Sequence, residues 1–197
     1  MSPAATATST KERLLGAAFE EFAKRGFAGA RIDEIAARAG ANKALIYQYF
    51  GDKEALFKLV LETKMGELDR IATDDPERLH EAIGEFFDFH AANPALSKLM
   101  LWEALDFGGK PVPNEADRKK HLAAHVAQIE EFQSLGLVDG ELDARQALVT
   151  LIGMVHVWFA LPQLARMVSG GNPYSTEALR KRRAHLVQVA RKILEVR

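Results

Sequence analysis

The chain has 197 residues, 48% of them hydrophobic, and its 26 Lys and Arg against 27 Asp and Glu leave a net charge of -1. That length buries a core without disulfide or metal staples, and that composition excludes a disordered or collagenous chain. The balanced charge excludes a bulk polycation, so any nucleic-acid contact must come from a local face. With no Cys in the sequence, thiolate catalysis, Cys-type zinc sites and a disulfide framework are excluded, and a cytoplasmic location is expected. The first ten residues, MSPAATATST, lack a basic n-region and an apolar core, so no secretory signal is expected.

Strand signals are nearly absent, and helical periodicity predicts an all-α fold of about nine helices. Leu14, Leu15, Ala18, Phe19 and Phe22 make one apolar stripe on a first helix, which ends at Gly26 after Lys24 and Arg25. Ile32, Ile35, Ala36 and Ala39 form a short second helix that stops at Gly40. Asn42 caps a third helix running through Phe50 to Gly51. Asp52 caps a fourth, with Leu56, Phe57, Val60, Leu61, Met65 and Leu68 inward. Five further helices are expected over 76–92, 94–107, 114–135, 143–169 and 175–196, separated by breaks rich in Pro and Gly.

Two short helices joined by Ala39-Gly40-Ala41-Asn42 meet the requirement of a helix-turn-helix: small residues for close approach and a Gly for the turn. On the third helix Leu45, Ile46 and Phe50 share an arc, with Tyr49 at its margin, and Lys43, Ala44, Tyr47 and Gln48 take the other side. That outer face suits groove reading: Gln bonds adenine edges, Lys a guanine or phosphate, and Ala a thymine methyl. A plain solvated helix face fits the same residues.

The residues Gly26-Phe27, Ile35-Ala36, Ala39-Gly40, Lys43, Tyr47, Phe50 and Lys53-Glu54-Ala55-Leu56-Phe57 resemble, in register and without gaps, the DNA-binding signature of the TetR-type transcriptional regulators. The resemblance covers residues 11–57. It implies base and phosphate contacts from Lys43, Ala44, Tyr47, Gln48 and Tyr49, and a phosphate contact from Lys53. Ala30 stands where the family usually has a hydroxyl residue opening the second helix; Arg31 is the candidate to compensate for that lost contact. Up to Ala55 the count is 8 basic against 7 acidic residues, weak for a nucleic-acid module, so affinity is expected to depend on two modules acting on one duplex.

For residues 58–197 the resemblance extends only to helix count, and implies a ligand-binding and dimerisation domain beside a DNA-binding domain at 1–57. In such proteins the last two helices pair with a second subunit. That offers a place for Leu148, Leu151, Ile152, Val155 and Phe159 on one helix, and for Leu186, Ala190 and Ile193 on the last. Polar residues set among apolar stripes mark a candidate pocket, because a buried polar group needs a partner. These are His90, Glu103, His125 and His156, with Phe86, Met100, Trp102, Met154 and Trp158 nearby in sequence. An ordinary core with satisfied histidines fits the same pattern.

Residues 147–165 carry no formal charge and approach the length of a membrane span, although a buried helix meets the same hydropathy at lower cost. His121 and His125 have metal-pair spacing but no third ligand in sequence, and no catalytic constellation or phosphate loop is present. No metal, cofactor, membrane or enzymatic activity is therefore expected. The combined expectation is a homodimeric repressor on a double-stranded, pseudo-palindromic operator, released by an unidentified small apolar or amphipathic effector. A helical protein-binding adaptor without sequence-specific DNA binding is the alternative, supported by the modest local charge.

Overall fold

The computed structural model describes residues 9–68 and 75–195. Among these the regular elements are all helical: α1 (Thr10–Gly29), α2 (Ile32–Arg38), α3 (Lys43–Phe50), α4 (Lys53–Leu68), α5 (Leu79–Ala92), α6 (Pro94–Phe107), α7 (Glu115–Ser134), α8 (Ala144–Ala160), α9 (Pro162–Ser169) and α10 (Thr176–Leu194), with a 3-10 turn at Pro76–Arg78. The Leu68 side chain and Val196, both placed by the sequence reading in helices, lie outside the described residues.

Among the described residues ten α-helices replace the nine expected, because the single helix predicted over 143–169 is two. The break falls at Leu161 (φ -119°, ψ 67°), directly before Pro162. Proline has no N–H to continue the ladder and pushes the preceding residue out of the α region, yet it is favoured as the first residue of a new helix. The two helices meet at 85°, and no single helix among the described residues is long and apolar enough to cross a membrane.

The chain divides into two compact units, one holding residues up to Met65 with Lys98–Pro113, the other Gly66–Ser97 with Asn114 onward. The divisions fall within α4, within α6 and just before α7, and the boundary expected after residue 57 also lies inside α4. In the first unit Leu14, Phe22, Ile35, Ile46, Leu56 and Phe57 are fully buried. Phe22 meets Phe57 edge-on at 4.9 Å, and Phe107 stacks on Phe57 at 6.2 Å. Burying side chains of this size stabilises by about 1.5–3 kcal/mol each.

In the second unit, α5, α7, α8 and α10 surround two joined apolar clusters. One gathers Val126, Ile129 and Phe132 of α7 with Leu151 of α8 and Ala190 and Leu194 of α10. The other gathers Phe87 of α5 with Val155 and Phe159 of α8 and Leu186 of α10. Gly84 lets α10 approach α5, since a Cβ there would lie 2.8–2.9 Å from Arg183 and Val187. Arg183 Nε donates to Asp88 Oδ2 at 2.7 Å across the same seam.

Candidate nucleic-acid interface and effector region

The turn between α2 and α3 is built by hydrogen bonds that only a left-handed residue permits. Gly40, at φ 61°, donates to Ala37 O at 3.1 Å, and Ala41 N donates to Ala36 O at 3.0 Å. This is the Schellman closure of a helix, and its positive φ favours Gly. Asn42 Oδ1 then accepts from Ala44 N at 2.9 Å and starts α3, as expected of a cap. Asp52 does the same for α4, accepting from Ala55 N at 2.8 Å.

Arg13 Nε donates to Ala39 O at 3.2 Å, and the buried Glu21 carboxylate pairs with Arg25 at 3.1 Å and Arg38 at 3.8 Å. Together they fix α1 against α2 and the turn. Ile46 and Phe50 anchor α3 in the core, while Lys43, Ala44, Tyr47, Gln48 and Tyr49 are exposed. The tyrosines are 50% and 43% exposed, a large aromatic area to leave in water. Lys43 Nζ is held by Asp33 Oδ1 at 3.0 Å, and that hydrogen bond raises the ammonium above its ordinary pKa. Lys53 Nζ donates to Ala28 O at 3.4 Å and sits 5.0 Å from the Phe27 ring centroid. Arg31 is exposed at the cap position of α2, where no side chain bonds the freed N–H groups.

The residues singled out as candidate effector contacts divide between the two units. Met100, Trp102 and Glu103 belong to the first, where Trp102 packs on the backbone of Gly26. Phe86, His90, His125, Met154, His156 and Trp158 belong to the second. There His90 is completely buried, with Nδ1 3.0 Å from Ser97 Oγ and Nε2 3.2 Å from His156 Nε2. Phe86 meets the His90 ring edge-on at 4.7 Å, and Phe159 stacks on it at 5.9 Å with the planes inclined by 30°. Burial, reinforced by His156, pushes His90 down to about 3, and burial lowers His156 as well. Both rings are neutral at pH 7, joined by one N–H.

Beside them Arg182 lies over the Trp158 ring at 5.2 Å and donates to Met154 O at 2.7 Å. Trp158 Nε1 and Arg182 Nε are buried without a hydrogen-bond partner. His125 is half-buried on α7, next to Val126. A depression of about 790 Å³ opens elsewhere in this unit, lined by Gln163, Arg166, Asn172 and Tyr174 among others and by none of the nine candidates. Among the described residues no group of three or more His, Asp or Glu is placed to hold a metal ion.

The family model described as bacterial regulatory proteins, tetR family, matches residues 14–60, and that of the tetracyclin repressor-like C-terminal domain matches residues 79–192. The chain belongs to the TetR family of transcriptional regulators. It is 40% identical over 187 residues to the HTH-type transcriptional repressor SCO4008 of Streptomyces coelicolor, covering 95% of this chain and 96% of that protein. Among solved structures, the transcriptional regulator SCO4942 of the same organism superposes with a TM-score of 0.81 at 32% identity, covering 94% of this chain and 98% of that one. FadR from Bacillus subtilis, in complex with stearoyl-CoA, superposes with a TM-score of 0.68 at 20% identity over 93% of this chain and 98% of its own, and shows the shared fold.

In this TetR-family chain the stripe expected to meet a second subunit is largely used inside the subunit. Leu151, Val155, Phe159, Leu186 and Ala190 are buried in its own clusters, and Leu148, Ile152 and Ile193 are half-buried. The reason is that α8 is apolar on more than one side, and its best stripe faces α5, α7 and α10. On α8 and α9 the large apolar residues left in solvent are others: Val149 and Val157 of α8, then Leu164, Met167 and Val168 of α9. Sequence reading also missed Asp106 of α6, whose carboxylate bonds the backbone of Phe27 and Ala28. Its partners lie almost eighty positions upstream, and no local pattern announces them.

Proposed function

We propose that this TetR-family protein is a dimeric repressor that reads a pseudo-palindromic operator with α3 and releases it when a small apolar or amphipathic effector binds the second unit. The observation that carries the reading is the exposed face of Lys43, Ala44, Tyr47, Gln48 and Tyr49 on a helix anchored by Ile46 and Phe50. Gln48 and Lys43 carry the hydrogen-bonding groups for base edges, Ala44 the methyl contact, and Lys53 and Arg31 the charges for phosphates. Two such helices entering successive major grooves stand roughly 34–36 Å apart. The name of SCO4008 supports repression as the sign of the regulation.

Dimerisation through α8 and α9 is supported by the exposed Val149, Val157, Leu164, Met167 and Val168, a water-facing apolar surface on neighbouring helices. The effector reading is supported by the aromatic and histidine cluster around His90, where the unpartnered N–H groups of Trp158 and Arg182 leave hydrogen-bonding capacity unused. For release, the effector must favour a state in which the two readers no longer match the half-sites; about 1–3 kcal/mol of coupling is the usual size.

Selection from random duplex DNA with purified protein at moderate salt tests the core of this reading. Enrichment of an inverted repeat is the expected result. A folded dimer that enriches nothing and binds DNA without salt dependence would overturn it in favour of a protein-binding adaptor.

A further inference from the structure

The helical path of α1 breaks at Gly26 (φ 71°, ψ 178°) and resumes for one short turn. The break frees the N–H groups of Phe27 and Ala28 from the helical ladder. Asp106 Oδ2 accepts both, at 2.7 Å and 3.3 Å, in the manner of a helix cap supplied from a distant element. Trp102, one turn earlier on α6, covers the same spot so closely that a Cβ on Gly26 would lie 2.9 Å from its Cε3 atom. Phe107 lies 6.1 Å from the Phe27 ring. The end of α6 therefore grips residues 26–28 from one side.

Lys53 holds the same turn from the other. Its Nζ takes the Ala28 carbonyl as acceptor and the Phe27 ring as a cation–π face. A lysine on a flexible stem samples many positions; here a carbonyl and a ring restrict it at the first residue of α4. Both depend on the backbone of 27–28, and that backbone is fixed by Asp106.

The geometry points to Asp106 as a positioning residue for DNA binding: by capping the turn at Phe27–Ala28 it seats Lys53 where a duplex phosphate meets the start of α4. The assignment rests on the phosphate contact of Lys53 proposed above. Its direction is opposite to that of bulk charge. Removing a carboxylate from a DNA-binding unit by itself strengthens attraction to phosphate, whereas unseating Lys53 weakens binding.

The test uses the full chain and a duplex carrying its selected inverted repeat, with affinity measured across a range of salt for K53A, D106A, D106N and the K53A/D106A double variant. K53A removes one phosphate contact from each half-site, so it is expected to weaken binding by about sixtyfold at 0.1 M salt and to flatten the salt slope by about 1.8. D106A weakens binding and flattens the slope in the same sense, while adding nothing in the K53A background. D106N, whose amide oxygen still accepts from both N–H groups, restores most of the wild-type affinity. Thermal melts accompany each variant, and D106S carries the comparison should D106A not fold. Wild-type or tighter binding by D106A, or an undiminished loss when it is added to K53A, overturns the positioning role. A K53A chain that binds like wild type overturns instead the phosphate contact itself.

Discussion

The Nε2 atoms of His90 and His156 stand 3.2 Å apart, so these two rings share one N–H and cannot both accept a further proton cheaply. Burial depresses both, His90 to about 3, below the ordinary value of about 6.5 for an unfolded chain. As pH falls through that ordinary value the unfolded state takes up protons that the folded state refuses. Stability is therefore full above about pH 6.5 and is lost progressively toward pH 3, with His90 contributing at most about 1.4 kcal/mol per pH unit. The urea midpoint should fall between about pH 7.5 and about pH 5, a window in which most carboxylates stay ionised. A midpoint that does not move across it would refute the depressed histidines.

Replacing Asp33 by Asn removes the carboxylate that holds Lys43 at 3.0 Å and one negative charge from the reading face. D33N is expected to bind duplex DNA a few-fold more tightly at low salt, with the gain fading as salt screens it. Titrations at two salt concentrations check this; equal or weaker binding at low salt means that Asp33 serves the interface in another way.

Gly26 combines a left-handed backbone with a crowded site, since a Cβ would lie 2.8 Å from Asp106 Oδ2 and 2.9 Å from Trp102. G26A should cost about 2–4 kcal/mol, from the positive φ and the overpacking together. The readout is the urea unfolding free energy, and a loss below half a kcal/mol would show that the turn relaxes without strain.

Met167 and Val168 are 70% and 74% exposed on α9. If this surface is covered by a second copy, M167E and V168E together convert the dimer to monomer in sedimentation, leaving the helical signal unchanged. Operator affinity then falls steeply, because each half-site is held by one reader alone. A double variant that remains dimeric moves the subunit contact elsewhere.

The parts of this fold that were legible in sequence are those set by neighbours in the chain. Gly40, Asn42 and Asp52 each act on backbone groups within a few residues, so their turn and caps could be read directly. The exposed arc of α3 also followed from periodicity, with Ile46 and Phe50 buried opposite it. What could not be read was anything decided by a partner far along the chain. An apolar stripe looks the same whether it faces its own core or a second copy, so Leu151, Val155 and Phe159 carried no sign of which they would meet. The uncharged run hid its break because hydropathy ignores Pro162, whereas backbone chemistry does not. Trp102 entered the sequence reading only as a candidate effector contact, and only the fold shows that its neighbour is Gly26.

The ion pair between Asp33 and Lys43 bears on how such a protein searches a genome. Random duplex offers phosphates everywhere, and a bare ammonium on the reading helix would cling to all of them. On the proposed reading of DNA by α3, Asp33 acts as an internal counter-charge, so contact at this position exchanges one anion for another, less is gained on sequence-blind DNA and the protein leaves it sooner. The unpaired groups beside it, the Gln48 amide and the Ala44 methyl, lose nothing by this arrangement. Dwell time then depends less on how much DNA is present and more on which base edges α3 meets.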